Sequence, residues 1–155
     1  MGHASIIYDP PLRRPLVGIG TLVTRENGNF LVGKRKNGHC PGYWACPGGH
    51  LEFGENFATA AKRETKEETN LDLLHLMQFG VANNYIPYEN VHYVSIYMAA
   101  APCDAKTLRN LEPDKCEEWR WVSWDNLPAP LFYTFDVLFT HPSILTPYWT
   151  WSVLK

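Results

Sequence analysis

The sequence predicts a single α+β domain, and three observations carry that expectation. At 155 residues the chain has the length of one domain able to bury a sizeable core. Its short apolar runs have strand character more often than helical character. A glycine pair, Gly48-Gly49, leads toward a segment dense in helix-forming residues, Phe57 to Thr69. No internal repeat or linker divides the chain. It is expected as a loose arm over 1–14, a folded domain over 15–145 and a tail over 146–155.

The arm contains prolines and has no period. From Leu16 to Thr24 the chain reads as a strand, and Phe30 to Gly33 as a second apolar run. Between them lies Asn27-Gly28, a turn dipeptide, so the two are expected as a β-hairpin. Lys34 to Gly42 is basic and contains glycine, which marks a loop. Trp44 to Cys46 reads as a short strand feeding a glycine turn at Pro47-Gly48-Gly49. Asn56 stands as N-cap to the helix over Phe57 to Thr69. Two further strands are expected at His75 to Asn83 and His92 to Ala100, with Pro87 and Asn90 punctuating the gap. Glu117 to Val122 alternates polar residues with Trp119 and Trp121, which suits another strand. Leu131 to Thr140 is expected as a second helix. The tail, with Trp149 and Trp151, has no clear period.

A net charge of −2 argues against a partner that is a nucleic-acid polymer, since such binders carry a basic stripe. A nucleotide stays open as a partner, because a metal can neutralise phosphate locally. The cysteines, Cys40, Cys46, Cys103 and Cys116, form no CxxC pair and no zinc spacing. Reduced thiols and a cytoplasmic location are the simplest expectation. No apolar run approaches the ~20 residues of a membrane span, so no membrane partner is expected.

The chemistry concentrates between Gly48 and Leu71. At 3.6 residues per turn, Glu64 and Glu68 fall about 40° apart on one helix face, and Glu67 about 60° from Glu64. Phe57, Ala60 and Ala61 share that side nearer the helix start, so the first half is expected to be buried and the second to present acids. Those acids lie near the negative end of the helix dipole and repel one another. Hard oxygen ligands of this kind favour Mg²⁺, with Mn²⁺ able to substitute. The plainer alternative is a solvated helix laced with ion pairs such as Arg63 with Glu67.

Gly49, Glu55, Arg63, Glu64, Glu67, Glu68 and Leu71 together resemble the signature of the Nudix hydrolases, a MutT-like family. Thr65 stands where that family usually has an aliphatic residue, and Asn70 where it has glycine. The segments LVGKRK, WACPGGHLEFGE, HYVSIYM and NLEPDKCEEWRWVSWDNLP extend the resemblance over residues 15–138. They look like the eukaryotic cytosolic Nudix enzymes that hydrolyse modified purine nucleoside triphosphates, and their plant relatives.

The resemblance implies an α/β/α sandwich around a central mixed β-sheet. It implies Glu64, Glu67 and Glu68 as catalytic groups and metal ligands, joined by the Gly48 carbonyl and by Glu117. Glu55 and Arg63 are implied as a supporting ion pair that orients the glutamates. Arg35, Gly49, His50, Ser95, Phe132 and Tyr133 are implied to contact substrate, Arg35 through phosphate. The implied reaction is Mg²⁺-dependent hydrolysis of a nucleoside diphosphate linked to another group, foremost a triphosphate cleaved to monophosphate and pyrophosphate. Dinucleotides, NADH and ADP-ribose remain alternatives, as does a non-catalytic nucleotide-binding module. A homodimer is implied by the relatives.

Overall fold

The computed structural model describes residues 14–140. The expected tail 146–155 and all of the arm except Arg14 lie outside the described residues. Strands β1 (Leu16–Val23), β2 (Phe30–Arg35), β3 (Trp44–Ala45) and β4 (Gly48–His50) precede helix α1 (Phe57–Thr69). Strands β5 (Leu73–Ile86), β6 (Val91–Pro102) and β7 (Cys116–Val122) follow, then helix α2 (Tyr133–Thr140).

The strands form a four-stranded sheet, order β4-β1-β6-β5, and a three-stranded sheet, order β3-β2-β7. The first is mixed: β1 runs parallel to β6, while β4 and β5 are antiparallel to their neighbours. Alternation along β6 decides how the layers stack. Ile96 and Met98 pack with Ile19 against Ala60 and Ala61 of α1. Tyr97 and Ala99, on the other face, join Phe30, Val32 and Val122 of the second sheet and Phe135 and Leu138 of α2. The mixed sheet is thus sandwiched between α1 and a layer made of α2 and the smaller sheet. Fully burying side chains such as Phe135 and Leu138 contributes about 1.5–3 kcal/mol each.

Two expectations need correcting. The Asn27-Gly28 turn forms, with Gly28 N–H donating to the Arg25 carbonyl at 2.9 Å and one antiparallel bridge from Thr24 to Phe30. Beyond that bridge β1 and β2 part into different sheets, so no hairpin extends along them. Both edges of β1 are already taken by β4 and β6, which leaves β2 to pair with β3 and β7.

The expected glycine turn is instead β4, a short strand that pairs Gly48 with Gly20 and Gly49 with Ile19. A Cβ at Gly48 would collide with the Ile19 carbonyl, so only glycine lets the strands approach this closely. The turn toward α1 comes later, where Glu55 N–H donates to the Glu52 carbonyl at 3.1 Å around Gly54, whose φ is 88°.

The four cysteines form no disulfide. Among the described residues no helix is long and apolar enough to cross a membrane.

Candidate active site

Helix α1 begins where the Asn56 side chain accepts from the Thr59 N–H at 2.9 Å, and ends at Asn70, which adopts the left-handed φ of 62°. Asn there does what the more usual glycine does, at small steric cost. Ala60, Ala61, Thr65 and Thr69 form the buried face. Glu64 and Glu68 lie beside that face, toward β4, and both line a cleft of about 670 Å³.

Glu68 accepts the Gly48 N–H at 3.0 Å. Burial pushes its carboxyl up to about 8, and the charges of Glu64 and Glu112 press in the same direction against the lowering effect of the Gly48 bond. Glu64 crosses over Gly49 so closely that a Cβ there would overlap its carboxylate. Gly49 thus keeps open the space that the Glu64 carboxylate uses, while Gly48 lets β4 approach β1 and offers its N–H to Glu68.

Arg63 organises the rest. Its Nε and Nη2 donate to the two Glu55 oxygens at 2.8 and 2.9 Å. Its Nη1 reaches Glu64 at 2.8 Å and Glu67 at 3.4 Å, and Nη2 also donates to the His50 carbonyl at 3.0 Å. The hydrogen bond from Arg63 holds the Glu55 carboxyl below its ordinary range. One guanidinium therefore ties the entry loop, β4 and the acidic face of α1 together. The i,i+4 pair of Arg63 with Glu67 exists, but as one strand of this larger network.

Of the residues singled out in the sequence, Arg35, Gly48, Gly49, His50, Ser95 and Phe132 line the same cleft as the three box glutamates. Arg35 donates from Nε to the His39 carbonyl at 2.6 Å, and its guanidinium carbon stands 4.5 Å from the centre of the Phe132 ring. Ser95 is buried and accepts from Asn84 at 2.9 Å. His50 meets the Tyr93 hydroxyl at 3.1 Å.

Glu55, held by Arg63, falls outside the cleft lining, and so do two further residues. Tyr133 lies beside Phe132, edge to face, with its hydroxyl buried and unpartnered among the described residues. Glu117 is exposed and pairs with Lys34 at 3.0 Å. The downstream acid in the cleft is Glu112, five positions earlier, joined to Lys115 at 2.8 Å. Its loop is anchored to α1 by the Leu111 N–H, which donates to the Glu68 carbonyl at 3.0 Å. Sequence reasoning missed Glu112 and Tyr93. Glu112 sits in an aperiodic turn, and Tyr93 in a strand whose faces depend on its neighbours.

Among the described residues no three Asp, Glu, His or Cys side chains gather into a closed metal site. Glu67 in particular is drawn to Arg63 and more than half exposed. This donor set suits Mg²⁺ or Mn²⁺ better than a caged metal, since Mg²⁺ binds through one or two carboxylates and completes its shell with water and phosphate oxygens. The crowded, buried Glu68 is the group that a cation would relieve most.

A strand–loop–helix that presents paired carboxylates to a cleft also lined by an arginine suits anhydride hydrolysis. The NUDIX domain family matches residues 14–140, and the chain belongs to that family. It is a Nudix hydrolase, acting on diphosphate bonds. An ADP-ribose pyrophosphatase of Methanocaldococcus jannaschii is 28% identical over 138 residues, 89% of this chain and 75% of the relative. The crystal structure of a MutT NUDIX hydrolase from Burkholderia pseudomallei superposes with a TM-score of 0.76 at 29% identity, covering 82% of this chain and 97% of that one. A bifunctional NMN adenylyltransferase/ADP ribose pyrophosphatase from Francisella tularensis, complexed with AMP and a Mn ion, superposes with a TM-score of 0.66 at 22% identity. That overlap spans 84% of this chain and 41% of the bifunctional one, and it speaks for the fold alone.

Proposed function

We propose that this protein is a Mg²⁺-dependent nucleotide diphosphatase that cleaves nucleoside triphosphates to monophosphate and pyrophosphate. Modified purine nucleotides are the first candidates. The observation that carries this reading is the pair Glu64 and Glu68, converging beside Gly48 and Gly49 in a cleft that also holds Arg35. Glu64 and Glu68 would hold the metal, with the Gly48 carbonyl beside them. Bound there, Mg²⁺ would neutralise anhydride oxygens and lower the pKa of the attacking water.

The chain's own groups supply the remainder. Arg35 takes a phosphate by its two Nη groups, which have no other partner among the described residues. Glu67, whose one partner among the described residues is Arg63 at 3.4 Å, is the carboxylate placed to accept the water's proton. Glu112 adds negative charge on the metal side, in the place first expected for Glu117. Arg63 and Glu55 hold β4 and α1 in register.

ADP-ribose hydrolysis is the second reading, favoured by the Methanocaldococcus jannaschii relative. A panel of purine triphosphates, ADP-ribose, NADH and dinucleoside polyphosphates, assayed chromatographically for nucleoside monophosphate and for pyrophosphate with Mg²⁺ and with chelator, separates the readings. Pyrophosphate from triphosphates in Mg²⁺ alone supports the first, and AMP from ADP-ribose the second. Thermal stabilisation by nucleotide without any release overturns both in favour of a binding module.

The homodimer is proposed alongside. Among the described residues β5 leaves its outer edge unpaired, carries no charged residue and exposes Val81 and Tyr85. Such an edge is suited to pair with a second copy. Light scattering that gives twice 17.7 kDa supports it, and a single mass overturns it. A cytoplasmic location is proposed on the unbridged cysteines.

A further inference from the structure

We infer that Phe132 serves the reaction through Arg35, as a positioning residue for the phosphate grip, and not by stacking on the substrate's base. The inference rests on the reading of Arg35 as a phosphate contact. Its evidence is how completely the guanidinium is already held. Nε is spent on the His39 carbonyl at 2.6 Å, and one face of the plane lies on the Phe132 ring, 4.5 Å from its centre. Among the described residues Arg35 makes no ion pair, so the two Nη groups keep their donors for a ligand. Such a fork, free at one edge and fixed at the other, matches two oxygens of a phosphate.

The ring is as firmly held as the arginine. The Phe132 N–H donates to the Trp44 carbonyl at 2.7 Å, joining the segment to β3. The Phe132 carbonyl accepts from Phe135 and Asp136 at 2.8 Å each, which makes it the first acceptor of α2. The edge of Tyr133 packs nearby, with ring centres 5.2 Å apart. The loop carrying the His39 carbonyl is likewise tethered, since the His39 ring meets Glu89 of the β5–β6 turn at 2.5 Å. A base stacking on the occupied face of Phe132 would have to displace the guanidinium from it. A flexible arginine gains most from such preorganisation, because its rotamer freedom is lost before the ligand arrives.

The test is a double-mutant cycle on Arg35→Ala and Phe132→Leu, read by KM and kcat on the best substrate of the panel. Titration with inorganic pyrophosphate in Mg²⁺ supplies a second readout. Loss of a cation–π platform predicts a roughly fivefold weaker pyrophosphate Kd and a matching rise in KM for Phe132→Leu, with kcat within about twofold. Phe132→Tyr, which keeps the aromatic face, is expected to restore wild-type values. On the Arg35→Ala background, Phe132→Leu is expected to add nothing.

Multiplying effects in the double variant overturn the inference. So does unchanged pyrophosphate affinity in Phe132→Leu beside weakened binding of the free nucleoside. Should Phe132→Leu fail to fold, Arg35→Lys replaces it: the charge stays but no plane remains to stack, and pyrophosphate affinity is expected to fall about as far as in Arg35→Ala. A wild-type protein that binds pyrophosphate but turns over nothing defeats the diphosphatase reading, while the pyrophosphate cycle still decides the role of Phe132.

Discussion

Replacing Gly49 by alanine probes the packing of the site with one methyl group. The backbone at Gly49 has no positive φ, so alanine fits the strand itself. Its Cβ would overlap the Glu64 carboxylate carbon and both oxygens. Ordinary contact lies near 3.5 Å, so the carboxylate must retreat by about 1 Å. A displacement of that size at a reacting centre costs on the order of 100-fold, equivalent to about 2.7 kcal/mol of transition-state stabilisation. The fold should bear it, because the obstructed group is the far end of a flexible side chain, and Tm is expected to stay within about 4 °C of wild type. Steady-state kinetics at saturating Mg²⁺, with a metal titration alongside, give the answer. The expected result is a 100-fold lower kcat/KM and a weaker metal requirement curve. Should Gly49→Ala retain more than a third of wild-type kcat/KM with unchanged Mg²⁺ dependence, Glu64 does not act where its contacts put it.

Three further outcomes follow from the same geometry. In chelator, unfolded Glu68 ionises above about 4.5 while the folded protein keeps it protonated to about 8, so wild-type stability falls between those values and levels off above them. The Glu68→Gln variant lacks that fall; it is expected to match wild type at pH 4.5 and to melt about 5–10 °C higher at pH 8, and a pH-independent difference contradicts the account. Glu117→Gln is expected to stay within about twofold of wild-type kcat/KM, while Glu112→Gln, inside the cleft, loses about tenfold or more; the reverse order restores Glu117 to the site. Thr65 is fully buried with its hydroxyl unpartnered among the described residues, so Thr65→Val is expected to stabilise by about 1 kcal/mol in a denaturant titration.

Helix α1 was legible to the residue, because its signals are local. Asn56 caps it, helix formers fill it, and Asn70 supplies the left-handed end. The carboxylate face followed from the helical period alone. The role of Arg63 as organiser was legible only as a resemblance, since its partners Glu55 and the His50 carbonyl lie on a loop and strand that the helix period does not reach.

The β1–β2 turn was equally local and correct, but the fate of the strands beyond it depended on β6, far along the chain, which claims an edge of β1. Glycine pairs commonly mean turns, yet Gly48 and Gly49 form a strand because the Ile19 carbonyl and the Glu64 carboxylate leave no room for side chains. That Glu112 and not Glu117 lines the cleft has the same origin. Alternation put Glu117 on a strand without saying which wall that strand builds. Glu112 enters the cleft from a turn that backbone bonds of Arg109 and Leu111 tie to the end of α1.

The claim on which all of this depends is that Glu64 and Glu68 share a divalent cation. Anomalous diffraction from crystals soaked in Mn²⁺ and a slowly cleaved nucleotide tests it directly. The account expects a peak about 2.1 Å from oxygens of both carboxylates, with phosphate oxygens completing the shell. A peak elsewhere, or none at full nucleotide occupancy, contradicts it.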